Sequence, residues 1–372
     1  MNTKPSLWLM VVMLMFPQVV ETIYSPALGS IAQSFSVSSS QAAQTLSIYF
    51  LAFAFGVVVW GILADKLGRR PTMIIGLFIY GCGALVAMQT DNFPTLMLAR
   101  VLSAFGIAVG SVVTQTMLRD AFNGEELGKV FSLMGIGISI SPVLGMLLGG
   151  QLTAIGGHHY VFLALFAMAL ALFIYNLFKL PETQKEKQPI QLVCLSLRMV
   201  KDTQILLSAL LVALYNIAIF SYYQLGAFIF VDLGFGSEQF GYSGIVLGIG
   251  MLLSSYLNKA LLSKKMSQRF LLWVSATLLT IGAVGVYLTL GSIWFITPMI
   301  LVASSFGIAI PNVLSVALAE YKQQVGSAGA LFGQMYYLMI GGGLLLAAVV
   351  QHLGIVLVVC STVTVLATVS RK

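Results

Sequence analysis

The chain is poor in charge. Asp, Glu, Lys and Arg make up 8% of its 372 residues, against about 25% in an average soluble protein. Nineteen basic and 12 acidic side chains cannot cover the surface of a water-soluble globule of this size. An ordinary soluble enzyme, a disordered chain and a nucleic-acid-binding domain are excluded together. Cysteine is scarce too. Cys82, Cys194 and Cys360 are odd in number, lie far apart and form no CxxC pair, so no disulfide framework is expected. His158, His159 and His352 have no carboxylate or thiol cluster beside them, and no metal site is expected. No glycine-rich run leads into Lys followed by Ser or Thr, which a nucleotide-binding loop needs.

Apolar residues are abundant, at 59% of the chain. A spanning helix needs about 20 of them in a row. Twelve such runs are readable, at about 7–28, 41–64, 72–90, 94–118, 127–154 and 159–179, then about 204–231, 238–258, 269–290, 293–318, 324–350 and 353–370. Strands of a membrane barrel would alternate over about 10 residues, and these runs do not. The longest polar stretch follows Leu180 and divides the runs six and six. The expected fold class is an all-α membrane protein with 12 transmembrane helices in two pseudo-symmetric six-helix bundles. The bundles fall at about 1–180 and 204–372, with a cytoplasmic linker at about 181–203. The first run resembles a signal peptide, but Glu21 within it and the eleven later runs argue against cleavage.

Orientation follows from charge. With the N-terminus placed in the cytoplasm, every Lys and Arg except Arg100 falls on the inner loops or at the termini. The outer loops hold only Asp91, Asp232 and Glu238. Basic loops belong inside, so the net charge of +7 reports topology and contact with an anionic leaflet, not a nucleic-acid partner. Trp8, Trp273 and Trp294 sit near run ends, as interfacial anchors do.

Three motifs carry chemistry. The first is GILADKLGRR at 61–70, on an inner loop. Gly61 and Gly68 allow a tight turn and close helix approach. Asp65 places an acid at the inner face, where the eleventh run begins near GSAG at 326–329, and a helix N-terminus attracts a carboxylate. The second is RVLSAFGIAVG at 100–110. Arg100 is the only basic residue away from the ends of a run, and a charge there costs at least about 2.5–3.5 kcal/mol. Glu21 is its candidate partner. It lies roughly 21 Å from the inner face, at 1.5 Å per residue. Arg100 lies roughly 9 Å from the outer face of a core about 30 Å thick, so the two share one depth. The third is GISISPVLGMLLGG at 137–150. Gly137, Ser141, Gly145 and Gly149 repeat every four residues and give one helix face over which another backbone can come close. Gly241, Gly244 and Gly248 of the eighth run are a plausible match from the other half. Pro142 removes a backbone donor and is expected to bend the helix.

All three motifs resemble hallmarks of the major facilitator superfamily. ETIYSPAL at 21–28 and PNVLSVALAE at 311–320 are similar to segments of its Bcr/CflA-type drug/proton antiporters. The resemblance covers nearly the whole chain. It implies that Gly61, Asp65, Gly68, Arg69 and Arg70 form a conformational latch holding the outward-facing state. The alternative is that the basic residues only set topology. It implies that Glu21 and Arg100 are the proton-coupling centre, the alternative being a static structural pair. The motif around Gly137, Ser141, Pro142, Gly145 and Gly149 resembles the antiporter signature and tilts the reading to efflux, or else is a packing face alone. By the same analogy Gln18, Tyr24, Gln115, Asn216, Tyr223 and Asn312 are candidates for the substrate cavity, against the alternative of bonding neighbouring helices. In one respect the chain departs from the family pattern. The family's acid stands four residues before the proline, where this chain has Thr22, and Glu21 is about 100° further round the helix.

The resulting expectation is a monomeric secondary transporter of the bacterial inner membrane, with both termini cytoplasmic. It would export small amphipathic compounds in exchange for protons by alternating access, with no cofactor beyond the proton gradient. A dedicated exporter of one metabolite, such as a siderophore or an amino acid, is the alternative within transport. A non-transporting receptor or scaffold is the alternative of another class. An enzyme is not expected.

Overall fold

The computed structural model describes residues 4–184 and 192–371, and the side chains of all of these except 132, 192–194 and 322–326. Lys185, Lys187 and Lys372 therefore lie outside the described residues, as do the side chains of Cys194 and Lys322. The described residues are helical and contain no strand. In chain order the helices are α1 (Leu7–Ile23), α2 (Leu28–Ser34), α3 (Ser39–Leu67), α4 (Arg69–Gln89), α5 (Phe93–Ala121), α6 (Gly124–Lys179) and α7 (Leu192–Lys201). They continue as α8 (Thr203–Asp232), α9 (Ser237–Ser263), α10 (Gln268–Thr289), α11 (Ile296–Ala317), α12 (Val325–Val350) and α13 (Leu353–Ser370).

Among the described residues, eleven helical segments are long and apolar enough to cross a membrane. The 56-residue α6 accounts for two crossings, since at 1.5 Å per residue it would be about 84 Å long if straight. It breaks at Gly156 and Gly157, where Gly157 takes φ +62, a left-handed value that glycine adopts without strain. At Pro142 the dihedral angles remain helical, and they leave the helical range at the glycine pair. Pro26 lies in a short 3-10 turn, Ser25–Ala27, that separates α1 from α2. The first run is thus two helices and a turn.

Polar caps set the helix starts. Ser38 and Gln41 form a capping box on α3, Asn92 caps α5, Asp202 caps α8 and Ser267 caps α10. Each satisfies backbone amides that the first turn leaves without partners. The stretch read as a plain linker contains α7, which buries Leu195 and Met199.

Glycines let the helices approach. A methyl group on Gly76 would lie 2.5 Å from Val109, and one on Gly106 would lie 2.5 Å from the Tyr80 amide, so α4 and α5 meet almost backbone to backbone. Between the halves, α3 packs on α12, and the first arm of α6 packs on α9. The hydrogen bonds that join the halves among the described residues all lie at the end away from the basic loops. The Gln224 amide donates across to the Ala43 carbonyl (2.9 Å) and Ser47 Oγ (2.8 Å), and within its own half to the Leu344 carbonyl (3.2 Å). The Ser25 hydroxyl donates to the Tyr223 carbonyl. Gln151 Nε2 donates to Glu238 Oε1 (3.0 Å). The molecule is held shut at that end.

Candidate functional site

Glu21 and Arg100 are each 1% exposed. They lie close enough for their charges to interact, but they form no contact ion pair. Two tyrosines sandwich Arg100 instead. Its Cζ lies 3.9 Å from the centre of the Tyr24 ring and 4.5 Å from that of Tyr49. A guanidinium over an aromatic face is attracted by the ring's quadrupole, more strongly where water is excluded. The Tyr24 hydroxyl is anchored by donating to Thr45 Oγ1 at 2.8 Å, and Thr45 in turn donates to the Ala42 carbonyl. Arg100 Nε and Nη2, Glu21 Oε1 and the hydroxyls of Tyr49 and Tyr80 have no hydrogen-bond partner among the described residues.

Glu21 lies between the halves. On one side it shares Tyr49 with Arg100. On the other, Tyr223 of α8 and Tyr336 and Tyr337 of α12 lie within electrostatic range of it. Tyr49 and Tyr80 are not singled out by the sequence, because a tyrosine in an apolar run has no spacing that marks it. The one-residue departure at Thr22 acquires a geometric meaning here. Thr22 points at α6: a methyl group on Gly145 would fall 1.9 Å from its hydroxyl oxygen. Position 21 is therefore the one directed to the arginine and the tyrosines.

The cavity candidates divide. Gln18, Gln115 and Asn216 are half-buried. Tyr24 is fully buried, committed to Arg100 and Thr45 within the first half. Asn312 is held by neighbours, donating to Asn258 Oδ1 and to the Ile308 carbonyl, both at 2.7 Å. Tyr223 is buried against Phe220 and Tyr222.

The glycine stripe of α6 faces a different partner from the one expected. Gly137 lies against Met15 and Val11, Gly145 against Thr22, and Gly149 against the Ile23 carbonyl, so the stripe receives α1 of its own half. Ser141 turns its hydroxyl to the Gly137 carbonyl at 2.7 Å. The adjoining face of α6 meets the other half: Gly241 lies against Gly150, Gly244 against Met146 and Gly248 against Val143. The eighth-run glycines are correctly paired with α6, but through Val143, Met146 and Gly150.

At the basic end, Arg69 Nη1 donates to Asp65 Oδ1 at 2.6 Å and to the Ala64 carbonyl at 2.8 Å, while its Nε donates to Asp120 Oδ2 at 2.9 Å. Arg70 Nη2 donates to the Leu177 carbonyl. A methyl group on Gly61 would lie 3.8 Å from Val112 and 4.0 Å from Ala330 on α12. The described side-chain partner of Asp65 is Arg69 of its own half; the side chains of 322–326, where α12 begins, lie outside the described residues. Asp120 is a second acid of this network that the sequence motif does not contain.

A helical bundle of this size, glycine-packed, with a buried charge at the junction of its halves, is a membrane transporter by architecture. The match to the Major Facilitator Superfamily covers residues 7–366, and the chain belongs to that family. Its members are transporters of small molecules that work within membranes, and the chain is a multi-pass membrane protein. It is 29% identical over 350 residues to an uncharacterized transporter of Rickettsia bellii, covering 90% of this chain and 87% of that one. It is 24% identical over 359 residues to a bicyclomycin resistance protein homolog of Haemophilus influenzae, covering 91% and 88%. Its fold is similar to that of a D-xylose–proton symporter, with a TM-score of 0.74 at 17% identity over 98% of this chain and 95% of that one.

Proposed function

We propose that the chain is a monomeric proton-coupled exporter of small amphipathic compounds in a bacterial inner membrane, with both termini cytoplasmic. The observation that carries this reading is Glu21, an acid sealed between Arg100 and Tyr49 of one half and the tyrosines of the other. When the halves rock about this midplane, the surroundings of its carboxyl change, and with them its hold on a proton. Substrate binding from the basic side releases the proton, and protonation from the far side releases the substrate. Asp65 and Arg69 latch the basic side in the outward-facing state. Among the described residues the inter-half hydrogen bonds lie at the far end, which is the arrangement expected of the opposite, inward-facing state. The drug-resistance name of the Haemophilus relative supports export of drugs.

The test is substrate-driven proton movement in inside-out vesicles carrying a preset proton gradient. Dyes, antibiotics and small metabolites are added to wild type and to Glu21→Gln. Several unrelated compounds should dissipate the gradient in the wild type alone. Response to one chemical class would replace this reading with a dedicated exporter. Passage of labelled substrate without proton movement would overturn the coupling.

A further inference from the structure

The segment PETQ at 181–184 leaves the end of α6 and folds back onto the latch loop, and the sequence motif gives no hint of it. The loop's helix, α4, begins in an unfavourable way. Its N-cap is Gly68, which offers no side-chain acceptor, its first turn has no acid, and its first two residues are Arg69 and Arg70. A helix N-terminus presents unpaired amides and partial positive charge. Glu182 supplies what is missing from 112 residues away. Its Oε2 accepts from the Arg70 amide at 3.1 Å. Its Oε1 accepts from the Arg69 amide at 3.0 Å and from the amides of Thr183 and Gln184, both at 2.9 Å.

The neighbouring residues grip the rest of the loop. Thr183 Oγ1 donates to Asp120 Oδ2 at 3.2 Å, on the same oxygen that receives Arg69 Nε. Gln184 Nε2 donates to the carbonyl of Asp65 at 2.7 Å. Gly68 has φ +107, and a methyl group on it would lie 2.6 Å from Glu182 Oε2. That glycine is needed for its backbone angle and for the room it leaves the carboxylate.

We propose that Glu182 is a positioning residue of the latch. It fixes the backbone from which Arg69 reaches Asp65 and Asp120, and it ties the chain's exit from the first half to that loop. Its loss shifts the balance between the transporter's two states rather than its contacts with substrate. This rests on the latch reading of Asp65 and Arg69 given above.

The test uses full-length protein in lipid nanodiscs, with native cysteines replaced and spin labels at Ser34→Cys and Asp232→Cys, on opposite halves at the far end. Distance distributions report the fraction open at that end. Glu182→Gln keeps the size of the side chain but turns an NH2 group toward backbone amides. It should lower the open fraction at least about fivefold, the lower end of typical couplings between distant sites, and Asp65→Asn should do the same. A fall with Asp65→Asn alone overturns the role of Glu182 and leaves the latch standing. No change with either variant overturns the latch itself. A fall with Glu182→Gln alone overturns the proposal, since Glu182 would then act by another route. A lowered melting temperature with unchanged populations would make Glu182 a helix cap only and would contradict the proposal.

Discussion

Arg100 and Glu21 are both sealed from solvent, with donor and acceptor atoms that have no partner among the described residues. Holding a charge this way costs several kcal/mol per ion after relaxation. The aromatic sandwich offsets part of the cost for Arg100, with a desolvated cation–π contact contributing about 2 kcal/mol. Among the described residues no hydrogen bond holds Glu21 Oε1. The geometry makes position 21 special and not merely its helix. Moving the acid by one residue, in Glu21→Thr with Thr22→Glu, turns it from the arginine and tyrosines to Gly145. Substrate-driven proton movement should fall at least about tenfold, a loss worth about 1.4 kcal/mol, while the protein still reaches the membrane. Equal proton movement in the double variant would show that only the depth of the acid matters. The sequence made Glu21 and Arg100 legible because charge is so rare in the apolar runs. It could not reveal Tyr49 or Tyr80, since their role depends on which face of α3 and α4 turns to Arg100.

Among the helices, α6 performs two tasks with two faces. The stripe of Gly137, Gly145 and Gly149 seats α1, and Val143, Met146 and Gly150 meet α9. A four-residue repeat announces a close approach but does not name the partner, which is why the stripe could be recognised without its true neighbour. The two arms of α6 were legible as separate runs because Gly156, Gly157 and the two histidines interrupt the apolar pattern. The short α7 was not, because a 10-residue amphipathic helix in a polar stretch is masked by its surroundings. Added methyl groups test the assignment. Gly145→Ala and Gly149→Ala place a carbon 1.9 Å from Thr22 Oγ1 and 2.2 Å from the Ile23 carbonyl oxygen. Each should destabilise the protein by about 1–3 kcal/mol, as overpacking does, read as a lower melting temperature in detergent. Gly81→Ala, with nothing within 4 Å, should be neutral. Equal effects at all three sites would mean that α1 and α6 are not pressed together.

As a whole the molecule is pinned at one end. The wedge of Gln224 between α3 and α12, with the Gln151–Glu238 and Ser25–Tyr223 contacts, closes the side away from the basic loops. If this wedge holds one state of a two-state cycle, Gln224→Leu should enlarge the other state about fivefold. An impermeant maleimide should then label Ala43→Cys, a position fully buried in the closed form, correspondingly faster. Unchanged labelling would mean that the wedge is incidental to closure. The halves themselves were legible from the six-and-six division of apolar runs. Their state was not, because identical runs pack in either arrangement and only the cross-half contacts tell them apart.

The claim that Glu21 exchanges its proton for substrate is tested most directly at equilibrium, without a membrane gradient. Purified protein in detergent and weak buffer, with a pH-sensitive dye, is mixed with a substrate identified in the vesicle screen. The account predicts that wild type releases protons on binding, and that Glu21→Gln binds the same substrate while releasing none. Proton release of equal size from Glu21→Gln would contradict it.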